Sequence, residues 1–166
     1  GVDLLFKAFA ACDNKSLRLV IVGEGKEKDN LVNLAGQLGI SDRVEFRGFL
    51  AGEALRECYK TAGAFVLPTR EDCFGLVLIE AMCAGLPIIV SRYSDGAAET
   101  VTEDVNGYIV DPYDTAQFTW AIDRTFTDEQ TRKRLGMAGC EATEKFRFEN
   151  VAAGYLEAIE DALSGR

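Results

Sequence analysis

The chain has 166 residues, and 48% of them are hydrophobic, which is enough to bury the core of one domain. It contains no histidine, so a Ser-His-Asp or Cys-His hydrolase is excluded and a zinc site is disfavoured. Its 27 acidic and 18 basic residues give a net charge of −9, and so acidic a surface repels nucleic acid. We therefore expect one domain, residues 1–166, with no nucleic-acid partner.

Strand-like and helix-like segments alternate along the chain. Short apolar, β-branched runs predict strands at 17–23, 44–48, 64–68, 87–91 and 107–111. Helical patterns lie at 26–38, 53–61 and 74–84, and from 115 to the end with breaks near Asp128 and Arg147. Near-continuous apolar strands separated by helices are typical of a parallel sheet covered on both faces. The prediction is a doubly wound, Rossmann-like α/β domain with a helical C-terminal tail.

The first twelve residues read as a helix with no strand before it. A doubly wound domain usually opens with a strand, so we expect this one to lack its first strand. No apolar run approaches the length of a membrane span, and the first residues lack the pattern of a signal peptide. The five cysteines are scattered without a CxxC pair, which indicates reduced thiols in a cytoplasmic protein.

The stretch from Pro68 to Ser91 (PTREDCFGLVLIEAMCAGLPIIVS) predicts a strand, an acidic loop, a helix and another strand. Ligands of open α/β sheets bind beyond the carboxyl ends of the strands, where this loop lies. The free amides of Phe74, Gly75 and Leu76 open the helix there, and such an end binds anions, above all phosphates. The spacing therefore predicts a phosphate site at this helix.

Two carboxylates flank that predicted phosphate site. Glu80 lies among apolar residues, and a ribose with two adjacent hydroxyls would satisfy both of its oxygens. It could equally be a solvated side chain or one that pairs with a backbone amide. Asp72 suits hydrogen bonds to sugar hydroxyls, but an N-cap of the helix at Phe74 is the commoner use of aspartate, and both roles can coexist.

Other loops at the same edge carry weaker signals. Gly23 and Gly25 follow the first strand like half of a dinucleotide fingerprint, but Lys28 occupies the third glycine position. We interpret them as a tight turn that lines the crevice. Gly96, after the fourth strand, permits close approach of a ligand, although a simple loop explains it as well. Cys73 is interpreted as incidental, since nothing nearby would activate it.

The run from Asp72 through Phe74, Gly75 and Glu80, followed by GLPIIV at 85–90, resembles the signature of GT-B retaining glycosyltransferases of the group 1 (GT4) type. The resemblance extends to LRLVIVGEG at 17–25, RVEFRGF at 43–49, AFVLPT at 64–69, NGYIVDP at 106–112 and residues 146–151. It implies a C-terminal, donor-binding domain of a two-domain enzyme. The nucleotide sugar, with UDP or GDP as its nucleotide, would bind here, and an N-terminal domain would hold a glycan or lipid acceptor.

The resemblance also assigns roles to single residues. Glu80 would bind the ribose hydroxyls and Asp72 the donor sugar, as the two catalytic carboxylates. The amides at Phe74, Gly75 and Leu76 would meet the diphosphate.

On the other side of the crevice, Gly23 and Gly25 would line the diphosphate, and the backbone from Arg47 to Phe49 would flank the base. Transfer of a hexosyl group would proceed with retention and without a metal or other cofactor. The habit of the family suggests polysaccharide or glycolipid assembly, with the parent protein cytoplasmic or peripheral at the inner face of a membrane.

Two departures from the family pattern stand out. The first acid of the usual E-x7-E pattern is Asp72, one methylene shorter, and Glu71 beside it could substitute. The family also places an arginine and a lysine just before a glycine that matches Gly1, so both cations and their strand would precede this chain. Those cations normally balance the leaving diphosphate. We therefore expect the domain to be inactive by itself.

Three other functions are compatible with the pattern. A GT-B sugar-nucleotide epimerase would need additional acid–base residues, and the absence of histidine counts against it. A non-catalytic nucleotide-binding module remains open. A dinucleotide-dependent oxidoreductase is disfavoured by Lys28. Preference for UDP or GDP over NAD would favour the transferase.

Overall fold

The computed structural model describes residues 1–164 as alternating strands and helices. The strands are β1 (Leu19–Val22), β2 (Val44–Gly48), β3 (Phe65–Leu67), β4 (Ile88–Ser91) and β5 (Gly107–Val110). The helices are α1 (Val2–Ala11), α2 (Lys28–Gln37), α3 (Gly52–Thr61), α4 (Leu76–Cys83), α5 (Ala97–Thr100), α6 (Thr115–Thr125), α7 (Glu129–Ala142) and α8 (Phe148–Ser164). Two 3-10 turns lie at Ser41–Arg43 and Thr143–Phe146. The predicted α/β class and the helical C-terminal tail are confirmed.

The strands form two parallel ladders. β1 pairs with β2, and β4 lies between β3 and β5 in the second ladder. Within residues 1–164 no ladder joins β1 to β3, so the predicted single sheet is divided. Leu19 of β1 and Val66 of β3 nevertheless pack against the same apolar cluster, so one core runs beneath both ladders.

All four residues of β4 are buried, and its alternate side chains enter opposite layers. Ile89 packs with α1 and α6 through Leu5 and Phe118. Ile88 and Val90 pack on the other side, in the cluster that contains the buried face of α4. Because successive side chains of a strand point to opposite faces, a strand covered on both sides must be apolar throughout. This is the doubly wound arrangement predicted from the sequence.

The helical second half divides where the sequence predicts breaks. The carboxylate of Asp128 accepts a hydrogen bond from the amide of Thr131 at 2.6 Å and caps the start of α7. Arg147, in an extended conformation, separates the second 3-10 turn from α8. The side chains of α8 contribute nothing to the buried core, and Tyr155 and Leu163 are 70% and 84% exposed.

Candidate functional site

The loops that follow β3 and β4 are joined through the backbone of Asp72. Its amide donates to the carbonyl of Tyr93 at 3.1 Å, and its carbonyl accepts from the amide of Asp95 at 3.0 Å. Both loops leave the carboxyl ends of neighbouring parallel strands, which is why they meet at one edge. Asp72 therefore lies on a loop that is held in place by the next strand's loop.

The side chain of Asp72 closes a turn just before α4. Its Oδ1 accepts a hydrogen bond from the amide of Phe74 at 3.0 Å. The helix itself begins at Leu76, with Gly75 as its N-cap residue, two residues later than the sequence predicts. Asp72 thus shapes the entry to the helix without capping it, and within residues 1–164 its Oδ2 forms no hydrogen bond or ion pair.

Gly75 is required by both its conformation and its surroundings. Its φ of +75° lies in the left-handed region, which costs side-chain-bearing residues energy. A Cβ there would lie 3.1 Å from the Oγ of Ser94 and 3.1 Å from a methyl of Leu67. At Gly75, where the chain enters α4, the backbone therefore packs closely against β3 and the buried Ser94.

The predicted anion site at the start of α4 is partly engaged. The amide of Phe74 donates to Asp72, whereas no acceptor within residues 1–164 takes the amides of Gly75 and Leu76. Leu76 is 68% exposed whereas Gly75 is buried, so this helix end meets solvent at Leu76. Two unpaired amides and the partial positive charge of a helix N-terminus favour an anion here.

Glu80 lies on the exposed side of α4, while its neighbours Ala81 and Met82 are buried. Its Oε2 accepts a hydrogen bond from the hydroxyl of Tyr59, on α3, at 3.1 Å. The carboxylate is thus solvated and held by a side chain rather than by a backbone amide. Burial, and then the charge of Glu80, raise the pKa of Tyr59 to about 12. Sequence reasoning missed Tyr59, because no local pattern links positions 21 residues apart.

The glycines after β1 form a second group, at the end of the other ladder. The amide of Gly23, at φ +126°, donates to the carbonyl of Gly48 at 2.7 Å. The space beside Gly25 is open. Phe49 follows β2 and is 73% exposed. The guanidinium of Arg47 is paired with Glu45 at 2.8 Å, so what this segment offers a ligand is its backbone and Phe49.

Two arginines at the carboxyl edge of the second ladder were also not predicted from the sequence as site residues. Arg70, after β3, donates to Asp3 at 2.8 Å, and Arg92, after β4, lies 3.7 Å from Asp111. Burial acts to raise the pKa of Asp3, but the hydrogen bond and the charge of Arg70 outweigh the effect of burial. The net result is a lowered pKa for Asp3. Both cations are paired with carboxylates in the structure, which leaves the α4 terminus as the electropositive feature beside Asp72.

Two shallow depressions lie elsewhere on the surface. One of about 440 Å³ runs along α7 beside Met137, and one of about 330 Å³ lies between Gly63 and Pro87, before β3 and β4. Neither is lined by Asp72 or Glu80.

Among residues 1–164, no three or more cysteine, aspartate or glutamate side chains are grouped to hold a metal ion. Nor does this part of the chain contain a helix long and apolar enough to cross a membrane.

Residues 1–141, which include every site residue described above, match the glycosyl transferases group 1 family. The chain belongs to this family. One relative, an uncharacterized glycosyltransferase of Methanocaldococcus jannaschii, is 34% identical over 98% of the chain. A D-inositol 3-phosphate glycosyltransferase of Stackebrandtia nassauensis is 32% identical over 90% of it. The chain spans only 42% and 35% of the lengths of these two relatives.

Solved structures share the fold of this group 1 chain. Sucrose-phosphate synthase from Thermosynechococcus elongatus superimposes on the whole chain with a TM-score of 0.83 at 30% identity, over 43% of its own length. HepE of Anabaena in complex with UDP gives 0.85 at 24% identity, over 97% of the chain and 45% of HepE. The C-terminal domain of a group 1 protein of Francisella tularensis gives 0.78 at 23%, over 89% of the chain and 80% of that domain. The fold is therefore that of a GT-B C-terminal domain.

Proposed function

We propose that the chain is the donor-binding domain of a retaining glycosyltransferase that transfers a hexosyl group from a nucleoside diphosphate sugar to a glycan or lipid acceptor. The observation that carries this proposal is a helix terminus with two unpaired amides, which Asp72 precedes and Glu80 follows along the chain. Asp72 lies in the loop before α4, and Glu80 lies five residues into the helix from Gly75. Along the chain, one anion-favouring helix end thus has a carboxylate before it and another after it.

Each part of this arrangement suits one part of a nucleotide sugar. The amides of Gly75 and Leu76 suit the diphosphate, whose negative charge the helix terminus favours. Glu80, exposed and held by Tyr59, suits the two vicinal hydroxyls of a ribose. Asp72 has Oδ1 engaged with Phe74, so its Oδ2 is left for a hydroxyl of the donor sugar.

In the proposed reaction the bond from the anomeric carbon to the diphosphate breaks, and a bond to the acceptor hydroxyl oxygen forms with the same anomeric configuration. The proton of that hydroxyl leaves with the nucleoside diphosphate. Charge builds up on the leaving diphosphate in the transition state. Amides and a helix terminus already oriented toward that charge stabilise it without reorganising. The two arginines that follow β3 and β4, Arg70 and Arg92, are both paired with carboxylates. We propose that the chain alone binds donor without transferring the sugar.

The relatives support the donor class. Anabaena HepE, which shares the fold, has been solved with UDP, with UDP and glucose, and with UDP-glucose. The relative in Stackebrandtia nassauensis is named for transfer to D-inositol 3-phosphate, and the Thermosynechococcus neighbour for synthesis of sucrose phosphate. The last two names point to different acceptors or products, so the proposal names the donor site and keeps the acceptor at the level of its class.

Thermal denaturation of the chain with UDP, GDP, ADP and NAD tests the proposal. A ligand that binds only the folded state stabilises it by about 2.7 kcal/mol at a hundredfold excess over its dissociation constant. We expect one nucleoside diphosphate to raise the melting temperature and Glu80→Ala to abolish that shift. Glu157→Ala, on the exposed face of α8, is the matched control and should keep it.

Stabilisation by NAD in preference to the nucleoside diphosphates would overturn the donor assignment and favour an oxidoreductase. A nucleoside diphosphate that binds equally well to Glu80→Ala would overturn the role of Glu80. Retention is tested separately, by the anomeric proton coupling of the product formed by the full-length enzyme.

A further inference from the structure

Tyr59 and Glu80 belong to different helices and meet through a single hydrogen bond. The Tyr59 hydroxyl, on α3, donates to Oε2 of Glu80, on α4, at 3.1 Å. No other side chain within residues 1–164 donates to this carboxylate. The position of the exposed Glu80 side chain is thus coupled to α3 through one phenolic hydroxyl.

The ring of Tyr59 is anchored, whereas Glu80 is not. The ring packs against the apolar cluster beneath α4, and its centroid lies 6.0 Å from that of Phe65 on β3. Glu80 is exposed and has three rotatable side-chain bonds, so alone it would sample many rotamers. A hydrogen bond from a fixed ring selects among them. The anchored partner therefore determines where the mobile carboxylate lies.

The chemistry of the Tyr59 hydroxyl, as a hydrogen-bond donor, matters as much as its position. A phenol with an ordinary pKa of about 10 is already protonated at neutral pH, and burial and the charge of Glu80 raise the pKa of Tyr59 further, to about 12. A neutral phenol orients the carboxylate and leaves its negative charge in place, whereas a lysine or arginine would neutralise that charge. Oε1 and the second lone pair of Oε2 remain available, which is what a pair of adjacent hydroxyl donors requires.

We infer that Tyr59 is a positioning residue that holds Glu80 in the rotamer that accepts the two ribose hydroxyls of the donor nucleotide. The inference rests on the donor site proposed above. Tyr59 itself touches the carboxylate and not the ligand. The residue thus contributes to nucleotide affinity only through Glu80, and only when the ribose carries its hydroxyls.

The competing explanation is that Tyr59 serves packing alone. Tyr59→Phe separates the two, because it keeps the ring and removes only the hydroxyl. If the hydroxyl positions Glu80, its removal weakens binding of UDP and leaves 2′,3′-dideoxy-UDP, which lacks both hydroxyls, nearly unaffected. If the hydroxyl serves only the packing of α3 on α4, both nucleotides are affected alike or neither is.

Isothermal titration of the full chain with UDP and 2′,3′-dideoxy-UDP tests the inference in four proteins: wild type, Tyr59→Phe, Glu80→Ala and the double variant. We expect Tyr59→Phe to weaken the binding of UDP by about fivefold to tenfold, as for loss of one ordinary hydrogen bond, and the binding of dideoxy-UDP by less than about twofold. In the Glu80→Ala background, Tyr59→Phe should have no further effect. Tyr155→Phe, which removes an exposed hydroxyl on α8, is the control.

The outcomes separate this inference from the proposed function. If Glu80→Ala weakens the binding of UDP but Tyr59→Phe does not, the positioning role is overturned and the donor site stands. Equal losses for UDP and dideoxy-UDP in Tyr59→Phe would overturn it in favour of packing. A wild type that binds GDP but not UDP is titrated with GDP and 2′,3′-dideoxy-GDP instead. If wild type binds neither nucleotide, or Glu80→Ala binds the nucleotide unchanged, the donor site and the positioning role are both overturned.

Discussion

Gly96 lies in van der Waals contact with the backbone of Phe74. A Cβ at position 96 would be 2.1 Å from the Phe74 carbonyl oxygen, which no real side chain tolerates. The loop after β4 therefore supports the loop before α4 directly, and the space beside Gly96, predicted to admit a ligand, is filled by Phe74. This contact orients the segment that carries Asp72 and the free amides of α4.

Gly96→Ala is expected to destabilise the chain and to disturb the candidate site together. The methyl must push the Phe74 backbone aside, and overpacking of this kind costs about 1–3 kcal/mol. Urea unfolding measures the loss, and nucleotide titration measures the effect on the site. Gly154→Ala, on α8, is the control, because a Cβ added there would meet no atom from outside its own helical turn within 4 Å. It should be neutral or slightly stabilising. An unchanged unfolding midpoint in Gly96→Ala would contradict the observed contact.

Asn106 is expected to be a structural residue of the turn before β5. It is 1% exposed, its Oδ1 accepts from the Thr102 amide at 2.8 Å, and its Nδ2 donates to the Thr100 carbonyl at 3.0 Å. Asn106→Ala leaves these backbone groups without partners and should cost about 1–3 kcal/mol in the free energy of unfolding. Asn30→Ala, on the exposed face of α2, should change it by less than about 0.5 kcal/mol. A stability of Asn106→Ala equal to that control would refute this role.

The five thiols are expected to react in a fixed order. Burial, followed by the charge of Asp123, raises the pKa of Cys12 to about 12, so at pH 8 roughly one molecule in ten thousand carries its thiolate. Ellman's reagent at pH 8 should modify the exposed Cys73, Cys83 and Cys140 first, the half-buried Cys58 next, and Cys12 only after denaturation. Peptide mapping by mass spectrometry identifies the order. Modification of Cys12 in the folded chain at the rate of Cys73 would contradict its burial.

Tyr59 is expected to be among the groups that limit stability at high pH. Its pKa rises from 10.0 to about 12 on folding, so the unfolded chain loses this proton first. The stabilisation linked to the protonated hydroxyl is complete below pH 10 and falls as the pH rises from 10 to about 12. The absorbance difference at 295 nm between wild type and Tyr59→Phe should therefore titrate near pH 12. Glu80→Gln should lower that midpoint without restoring it to 10, because burial is the larger cause. A wild-type midpoint near 10 would contradict the model of a half-buried hydroxyl beside Glu80.

Most of the fold could be predicted from local patterns. The strand at Val44–Gly48 was predicted at its observed bounds, and the breaks at Asp128 and Arg147 coincide with helix ends. Runs of apolar residues and turn residues act over a few positions, so they indicate elements reliably without reference to the rest of the chain. The four-residue helix α5 was missed, because it is too short to show a helical period.

The sequence by itself determined the α/β class, the alternation of strands and helices, and the stretch from Asp72 to Glu80 as the candidate site. Tertiary structure decided what those residues touch: Phe74 for Asp72, Tyr59 for Glu80, and the division of the strands into two ladders. Periodicity and turn chemistry are properties of neighbouring residues. A hydrogen bond between α3 and α4, or a ladder between two strands, depends on how distant segments are brought together, and that is settled only when the core packs.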